Sequence, residues 1–482
     1  MPPKSIPHST PPPEVVDIAF SRNGHSKETH VSALDAALLA EGISDEGNAR
    51  SIHRLHAGHF LHTDALGWLR YTGTHWTAKG ATAAVSRAIV DTLSKRIQAA
   101  INTGEPEKHG KLIGFCIPNK GRVQGAMYLY ESLVHADIDD FDTEPDLLNC
   151  KNGVVNLRTG QIIPHHSSQR FTHCTTVAYT PSASAGRFTT WLAEAVQGGA
   201  ETVAWLQMAV GYSLTGHTRE EVLFYLYGPP RSGKGTLTEM LLALLGAPLA
   251  KEVNFATFTA QRTGDSQNFD LAPLKPCRLV AASESNAYER FNEAKVKALT
   301  GGNEVYCAFK HQTHFAYRPQ YKIWLSSNQP VNADPDDDAV WGRLRVVAFP
   351  HSHLGIEDKT LKSRMKSPAM LEGLLAWAVE GAKRWYALGS RGLPELEHSV
   401  QIKTRQRGEL DHVQAWLDEC CEVGSTHFAA NKELYPSYRL WCEVNGVEAK
   451  KQKGLTQSLA HKGFATARTP TSRGVQGFRV RG

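Results

Sequence analysis

The sequence predicts an α/β protein, with a phosphate-binding core built on a parallel sheet, a mixed α/β domain before it and a smaller basic domain after it. Three observations predict this. The apolar run Val222-Leu-Phe-Tyr-Leu-Tyr227 reads as a buried strand. It passes directly into Gly228-Pro-Pro-Arg-Ser-Gly-Lys-Gly-Thr236, and Leu237–Leu245 then reads as a helix. Further on, two more apolar runs each end in one polar side chain, Arg278–Glu284 and Tyr321–Asn328.

Strand, glycine-spaced loop with a single lysine, then helix is the arrangement that cradles phosphate. The loop comprises Gly228, Pro229, Pro230, Arg231, Ser232, Gly233, Lys234, Gly235 and Thr236. Its glycines let backbone N–H groups converge on triphosphate oxygens, and the new helix turns its positive end toward them. Lys234 is placed to reach the β- and γ-phosphates. The hydroxyl that usually follows the lysine is displaced by one residue, because Gly235 stands there and Thr236 comes next. Thr236 is therefore the expected Mg²⁺-facing hydroxyl. The plainer alternative is a Gly/Pro turn that happens to carry a lysine. The strand before it and the helix after it argue against that.

The chain has 482 residues, room for about three domains. Hydrophobic residues make up 41% and charged residues 21%, the balance of a soluble globular protein. No apolar run approaches the length of a membrane span, so no membrane partner is expected. Residues 1–44 are rich in Pro and Ser, lack a signal-peptide core, and are expected to form a disordered tail. Residues 45–184 read as the mixed α/β domain. Trp68–Trp76 suggests an aromatic hairpin, and Thr82–Ala99 has helical spacing. Residues 185–392 hold the core, entered by helices from Phe188 and over Glu201–Leu214 and closed by one over Met370–Ala387. Arg391-Gly-Leu-Pro394 marks a linker to residues 393–482, read as helices and then short strands.

None of the eight cysteines forms a Cys-x2-Cys pair, which argues against a zinc ribbon and fits a reducing cytoplasm. The net charge of +5 is modest, but from Gly446 to Gly482 the only acid is Glu448, against Lys450, Lys451, Lys453, Lys462, Arg468, Arg473, Arg479 and Arg481. A basic terminus suggests a polyanion, usually nucleic acid. A solvated face is the plainer reading.

A phosphate cradle needs an acid to prepare water and help hold the metal, and a polar group to sense the γ-phosphate. Glu284 ends its strand in the position for the first, and Asn328 for the second. Ala339–Phe349 then brings two arginines to the start of a strand. A cation supplied by a neighbouring subunit offsets transition-state charge. Arg343 is the first candidate and Arg345 the second.

The order of these motifs resembles the superfamily 3 helicases, above all the replicative helicases of phages and plasmids, related to the poxvirus primase-helicase. The resemblance runs over residues 45–482. It rests on Gly228–Thr236, Leu279–Glu284, Lys297-Ala-Leu-Thr-Gly-Gly-Asn303, Trp324–Pro330, Val340–Arg345 and, upstream, Leu147–Leu157. It implies an AAA+-type core and a winged-helix-like C-terminal domain. It also implies a homo-oligomeric ring, a hexamer by that likeness, with ATP and Mg²⁺ between subunits and single-stranded or forked DNA as substrate. A hairpin that grips DNA falls at Val305–His311, where Lys310, then His311 and Phe309, would meet phosphate and bases. Lys297 matches a family lysine that could lie near phosphate. A separate primase is a possible partner, and the cytoplasm of a bacterial host is the implied location. Two positions depart from the family: Gly342 precedes Arg343 where members often pair arginines, and Ser283 precedes Glu284 where many have a second acid. Asp137 and Asp139 have a metal-binding spacing, but sit in an acidic turn with too little chain before them for a primase. An ATP-controlled initiator or loader is the alternative function, and a small-molecule phosphotransferase a more remote one.

Overall fold

The computed structural model describes residues 31–259, 269–284, 289–308 and 315–481. They fall into two compact units, one within Met1–Ala57 and Thr82–His135, the other within Gly58–Ala81 and Ala136–Gly482.

The first unit is helical: α1 (Ala33–Ala40), α2 (Asp45–Leu55), α3 (Ala81–Asn102, from Thr82 onward), α4 (Gly110–Cys116) and α5 (Lys120–Leu133). Ser32 and Ser44 cap α1 and α2 by accepting from Asp35 N and Gly47 N. Arg96, fully buried on α3, ties the corner between them. It donates to Asn48 Oδ1 at 2.6 Å and to the carbonyls of Leu38, Glu41 and Gly42. The helix α1 corrects the expectation of a disordered tail over residues 1–44. Ala33–Ala40 is made of strong helix formers with a serine cap and buries Leu38, a local signal diluted by the prolines before it.

The domain expected over 45–184 is also divided. Residues 58–81 and 136–184 belong to the second unit. There β1 (Phe60–Thr63), β2 (Gly67–Tyr71) and β3 (Trp76–Thr77) form an antiparallel sheet that contains the expected aromatic hairpin. Trp76 N donates to Phe171 O at 2.7 Å, and Ala136 N to His62 O at 2.8 Å. These bonds fasten the hairpin to the chain that follows. A second small sheet joins β4 (Leu147–Cys150), β5 (Gly153–Asn156) and β6 (Ile162–Ile163).

The centre of this unit runs α6 (Gly186–Ala195), α7 (Gly199–Leu214), β7 (Leu223–Tyr227), α8 (Lys234–Leu245), β8 (Ala250–Asn254), β9 (Leu279–Ser283), α9 (Glu293–Thr300), β10 (Val305–Cys307), β11 (Phe315–Tyr317), β12 (Lys322–Ser327), α10 (Asp338–Arg343), β13 (Leu344–Ala348), α11 (Leu361–Met365) and α12 (Pro368–Leu388). Five strands form one parallel sheet in the order β13-β7-β12-β9-β8. Its inner strands β7, β12 and β9 are largely apolar because both of their faces are covered, whereas the edge strand β8 carries Lys251 and Glu252. Successive side chains alternate between two cores: Phe224, Leu226, Ala281 and Trp324 face one, and Leu223, Tyr225, Val280 and Leu325 the other. The helices α7 and α12 pack backbone to backbone, so closely that a Cβ at Gly381 would lie 1.8 Å from Gln207 O.

The chain ends with α13 (Glu397–Leu410), α14 (His412–Cys420), β14 (Cys421–Ala430), α15 (Asn431–Val444), α16 (Gln452–His461), β15 (Thr466–Arg468) and β16 (Arg473–Val480). The last three strands make an antiparallel sheet, β14-β16-β15. The helix α13 follows the boundary expected at 392/393 yet packs on the core beside β13: Ser399 Oγ accepts from Val346 N at 2.9 Å. All eight cysteines are free. No described helix is long and apolar enough to cross a membrane.

Candidate active site

The central sheet delivers its polar ends to one place. The strand β7 stops at Tyr227, and the glycine-spaced loop turns back into α8. Gly233 precedes that helix with φ +105°, a conformation glycine adopts without strain. The first-turn N–H groups of α8 have no carbonyl partners within the helix and face a cavity of about 750 Å³. Pro230–Thr236, Ser283, Glu284, Ser327 and Asn328 line it.

Lys234 is buried in the wall of this cavity. It is 7% exposed, and its Nζ donates to Gly228 O (2.7 Å), Pro229 O (2.8 Å), Ser232 Oγ (3.2 Å) and Asn328 Oδ1 (3.0 Å). All four acceptors are neutral, so burial pushes its pKa down to about 8. Asn328 follows β12, which lies between β7 and β9, and this sheet order brings the amide to the lysine. Glu284 follows β9, and its backbone N–H donates to Ser326 O at 2.9 Å. Burial pushes the Glu284 carboxyl up, while the bond from the Ser327 hydroxyl acts against that shift.

Thr236 is buried at 6% and shares the cavity wall with Ser283 and Glu284. Buried in the same wall, Ser326 Oγ has no hydrogen-bond partner among the described residues. Two hydroxyls, a carboxylate and an orphaned oxygen make an all-oxygen donor set, which suits Mg²⁺.

Other expected residues stand elsewhere. Arg343 is the last residue of α10, and the register pairs Leu344 with Leu223 and Ala348 with Tyr227. Arg343 thus stands at the end of the sheet away from the loop, separated by about 13 Å of strand at the usual rise. Its Nη2 donates to Glu221 Oε2 at 2.6 Å and its Nη1 to Ala339 O at 3.0 Å. It is not part of this chain's own cavity. Arg345 donates to Gly342 O at 2.7 Å and lies 3.9 Å from Glu395, so internal contacts occupy it. Lys297 does not line the cavity; it pairs with Asp337 Oδ2 at 2.8 Å, a residue that also caps α10. Phe309, Lys310 and His311 lie outside the described residues, although the strands that would frame them, β10 and β11, pair antiparallel.

The sequence reading missed the far wall of the cavity: Trp191, His353, Ile356, Lys359 and Lys362. Trp191 was legible only as part of the apolar face of α6. The others follow β13 in a stretch with no motif. A second cavity of about 570 Å³ adjoins the loop, where Gly228, Pro229 and Asn328 face His398, Gln401 and Arg405 of α13. The basic terminus is partly neutralised from within. Lys450 binds Asp336 Oδ2 at 2.5 Å and Asp334 at 3.3 Å, Lys462 pairs with Asp411, and Arg479 binds Glu422 at 2.7 Å.

Comparison with known proteins agrees with this arrangement of motifs. Residues 49–197 match the family described as D5 N terminal like, and residues 226–343 match a family of unknown function, DUF5906. Three viral proteins with provisional helicase names are similar. L207/L206 of Acanthamoeba polyphaga mimivirus is 24% identical over 52% of this chain and 28% of its own length. For 022R of Frog virus 3 the figures are 28% identity, 28% and 14%, and for V13 of the Sputnik virophage 21%, 44% and 29%. The matches thus span less than a third of these relatives. None of the three comes from a bacterial host, the location the motifs had implied. Among solved structures, the apo NrS-1 C terminal region aligns with a TM-score of 0.39 at 11% identity, over 64% of this chain and 78% of that one. Taken together, the two family matches and the three viral relatives make this chain similar to the superfamily 3-type helicases of phages and viruses.

Proposed function

We propose that the chain is an ATP-dependent DNA helicase of a phage, plasmid or other mobile element, with an AAA+-type core that assembles as a ring and moves along single-stranded DNA in replication. The observation that supports it most is the meeting of Lys234 and Asn328, 3.0 Å apart, in one cavity with Glu284 and Thr236. A phosphate-binding lysine, a polar sensor, an acid and a metal-facing hydroxyl are the parts phosphoryl transfer to water requires.

In this reading the Lys234 ammonium leaves the loop carbonyls for the β- and γ-phosphate oxygens. The Glu284 carboxylate accepts a proton from the attacking water, and the Asn328 amide orients that water or the γ-phosphate. Thr236 would hold Mg²⁺, with Glu284 acting on it through water. The ion would supply neutralisation of charge on the phosphates. Arg343 of an adjoining subunit offsets the charge that develops at the γ-phosphate. Lys310, with His311 and Phe309, would carry the DNA strand. A separate primase is a further expected partner.

The test is unwinding of forked DNA together with phosphate release. Wild-type protein should do both. Lys234→Ala should lower ATP hydrolysis on the order of a hundredfold or more and abolish unwinding. Strand separation at the wild-type rate by that variant would refute the mechanism. ATP-dependent binding at one DNA site without strand separation would favour the initiator or loader reading.

A further inference from the structure

We infer that Lys403, on α13, is a positioning residue for Arg343, setting the arginine that one subunit offers to the next. This rests on the reading above that Arg343 acts across a subunit boundary.

Arg343 ends a helix of only six residues, Asp338–Arg343. So short a helix has its last carbonyls unmatched by its own N–H groups, and it holds its direction only if outside donors meet them. Lys403 provides them. Its Nζ donates to Trp341 O at 3.1 Å and to Leu344 O at 3.3 Å, the carbonyls on either side of Arg343. The ammonium is itself fixed by Glu395 Oε1 at 2.5 Å, and its side chain is only 12% exposed. A cation at a helix C-terminus is also favourable toward the helix dipole.

The same helix grips the rest of that segment from one face. Ser399, Lys403 and Gln406 stand at i, i+4 and i+7. Ser399 accepts from Val346 N, and Gln406 from Val331 N at 3.3 Å. Its other positions, His398, Gln401 and Arg405, face the cavity shared with Gly228, Pro229 and Asn328. One helix therefore faces the edge of a subunit's own phosphate loop across that cavity and holds the arm that carries its arginine. Neither the nucleotide nor the neighbour needs to touch Lys403 for it to matter.

The experiment is a double-mutant cycle on steady-state ATP hydrolysis by the full chain, with Arg343→Ala, Lys403→Met and both together, and each variant's fold checked by thermal melting. Lys403→Met keeps the stem and removes the donors. We expect it to lower kcat about tenfold and leave KM for ATP within about twofold, since its own nucleotide site is intact. In the Arg343→Ala background it should lower kcat no further. A multiplicative loss in the double variant, or full activity in Lys403→Met, overturns the inference alone. Full activity in Arg343→Ala overturns the trans reading and this inference with it. Should Lys403→Met fail to fold, Lys403→Gln, whose amide NH2 carries two N–H donors on a shorter, uncharged stem, takes its place and is read by the same outcomes.

Discussion

Lys234 is a buried cation satisfied by oxygens of its own loop and by Asn328. Its pKa of about 8 in this state means that neutral amine accumulates as pH rises past that value. A triphosphate needs the charged form and raises the pKa of the bound state. Affinity is therefore full below pH 8 and falls above it, by up to roughly tenfold per pH unit until the bound pKa is reached. Titration of a fluorescent ATP analogue between pH 7 and pH 9.5 should show this slope, and Lys234→Arg should flatten it, because guanidinium stays protonated. A flat profile for the wild type would mean that the lysine keeps its charge despite burial. The acid and the amide were legible in the sequence because each ends an apolar run, and the lysine because it closes a glycine-spaced loop between a strand and a helix. Trp191 and Ile356 were not, because a cavity wall made of residues far apart in the chain has no spacing to read. Lys297 misled for a related reason: its place in a motif fixes its neighbours in sequence, not the Asp337 it meets in space.

Among whole elements, the pair α7 and α12 shows what holds the core. Gly381→Ala would drive a methyl group into the carbonyl of Gln207, backbone that cannot swing aside. We expect a loss of about 3 kcal/mol, read by urea denaturation. A loss below about 0.5 kcal/mol would show that the two helices can part at no cost. The principal helices and the strands of the parallel sheet were legible, since a strand buried on both faces is a continuous apolar run and α6 shows its stripe at i, i+3 and i+4. The helix α1 was hidden by the composition of the residues before it. The division of 45–184 between two units was hidden as well, because hydrogen bonds such as Trp76 N to Phe171 O join residues nearly a hundred positions apart, and local pattern says nothing of that.

For the whole molecule, the sheet holds the phosphate loop at one end and Arg343 at the other. In the ring reading no subunit completes its own chemistry. The specific ATPase activity of the wild type should rise with protein concentration across the range where sedimentation shows assembly. Arg343→Ala should bind ATP as tightly as wild type and lose on the order of a thousandfold in kcat. Activity per subunit that is constant on dilution to monomer would contradict it. The C-terminal segment has a consequence of its own. Lys450 and Lys462 are largely shielded against Asp336 and Asp411, whereas Lys451, Lys453, Arg468 and Arg473 lie exposed. Mobile ions screen exposed charges far more than shielded ones. Rising ionic strength would therefore strip a bound polyanion from this terminus while the terminus itself stays seated, so that release need not begin with undocking.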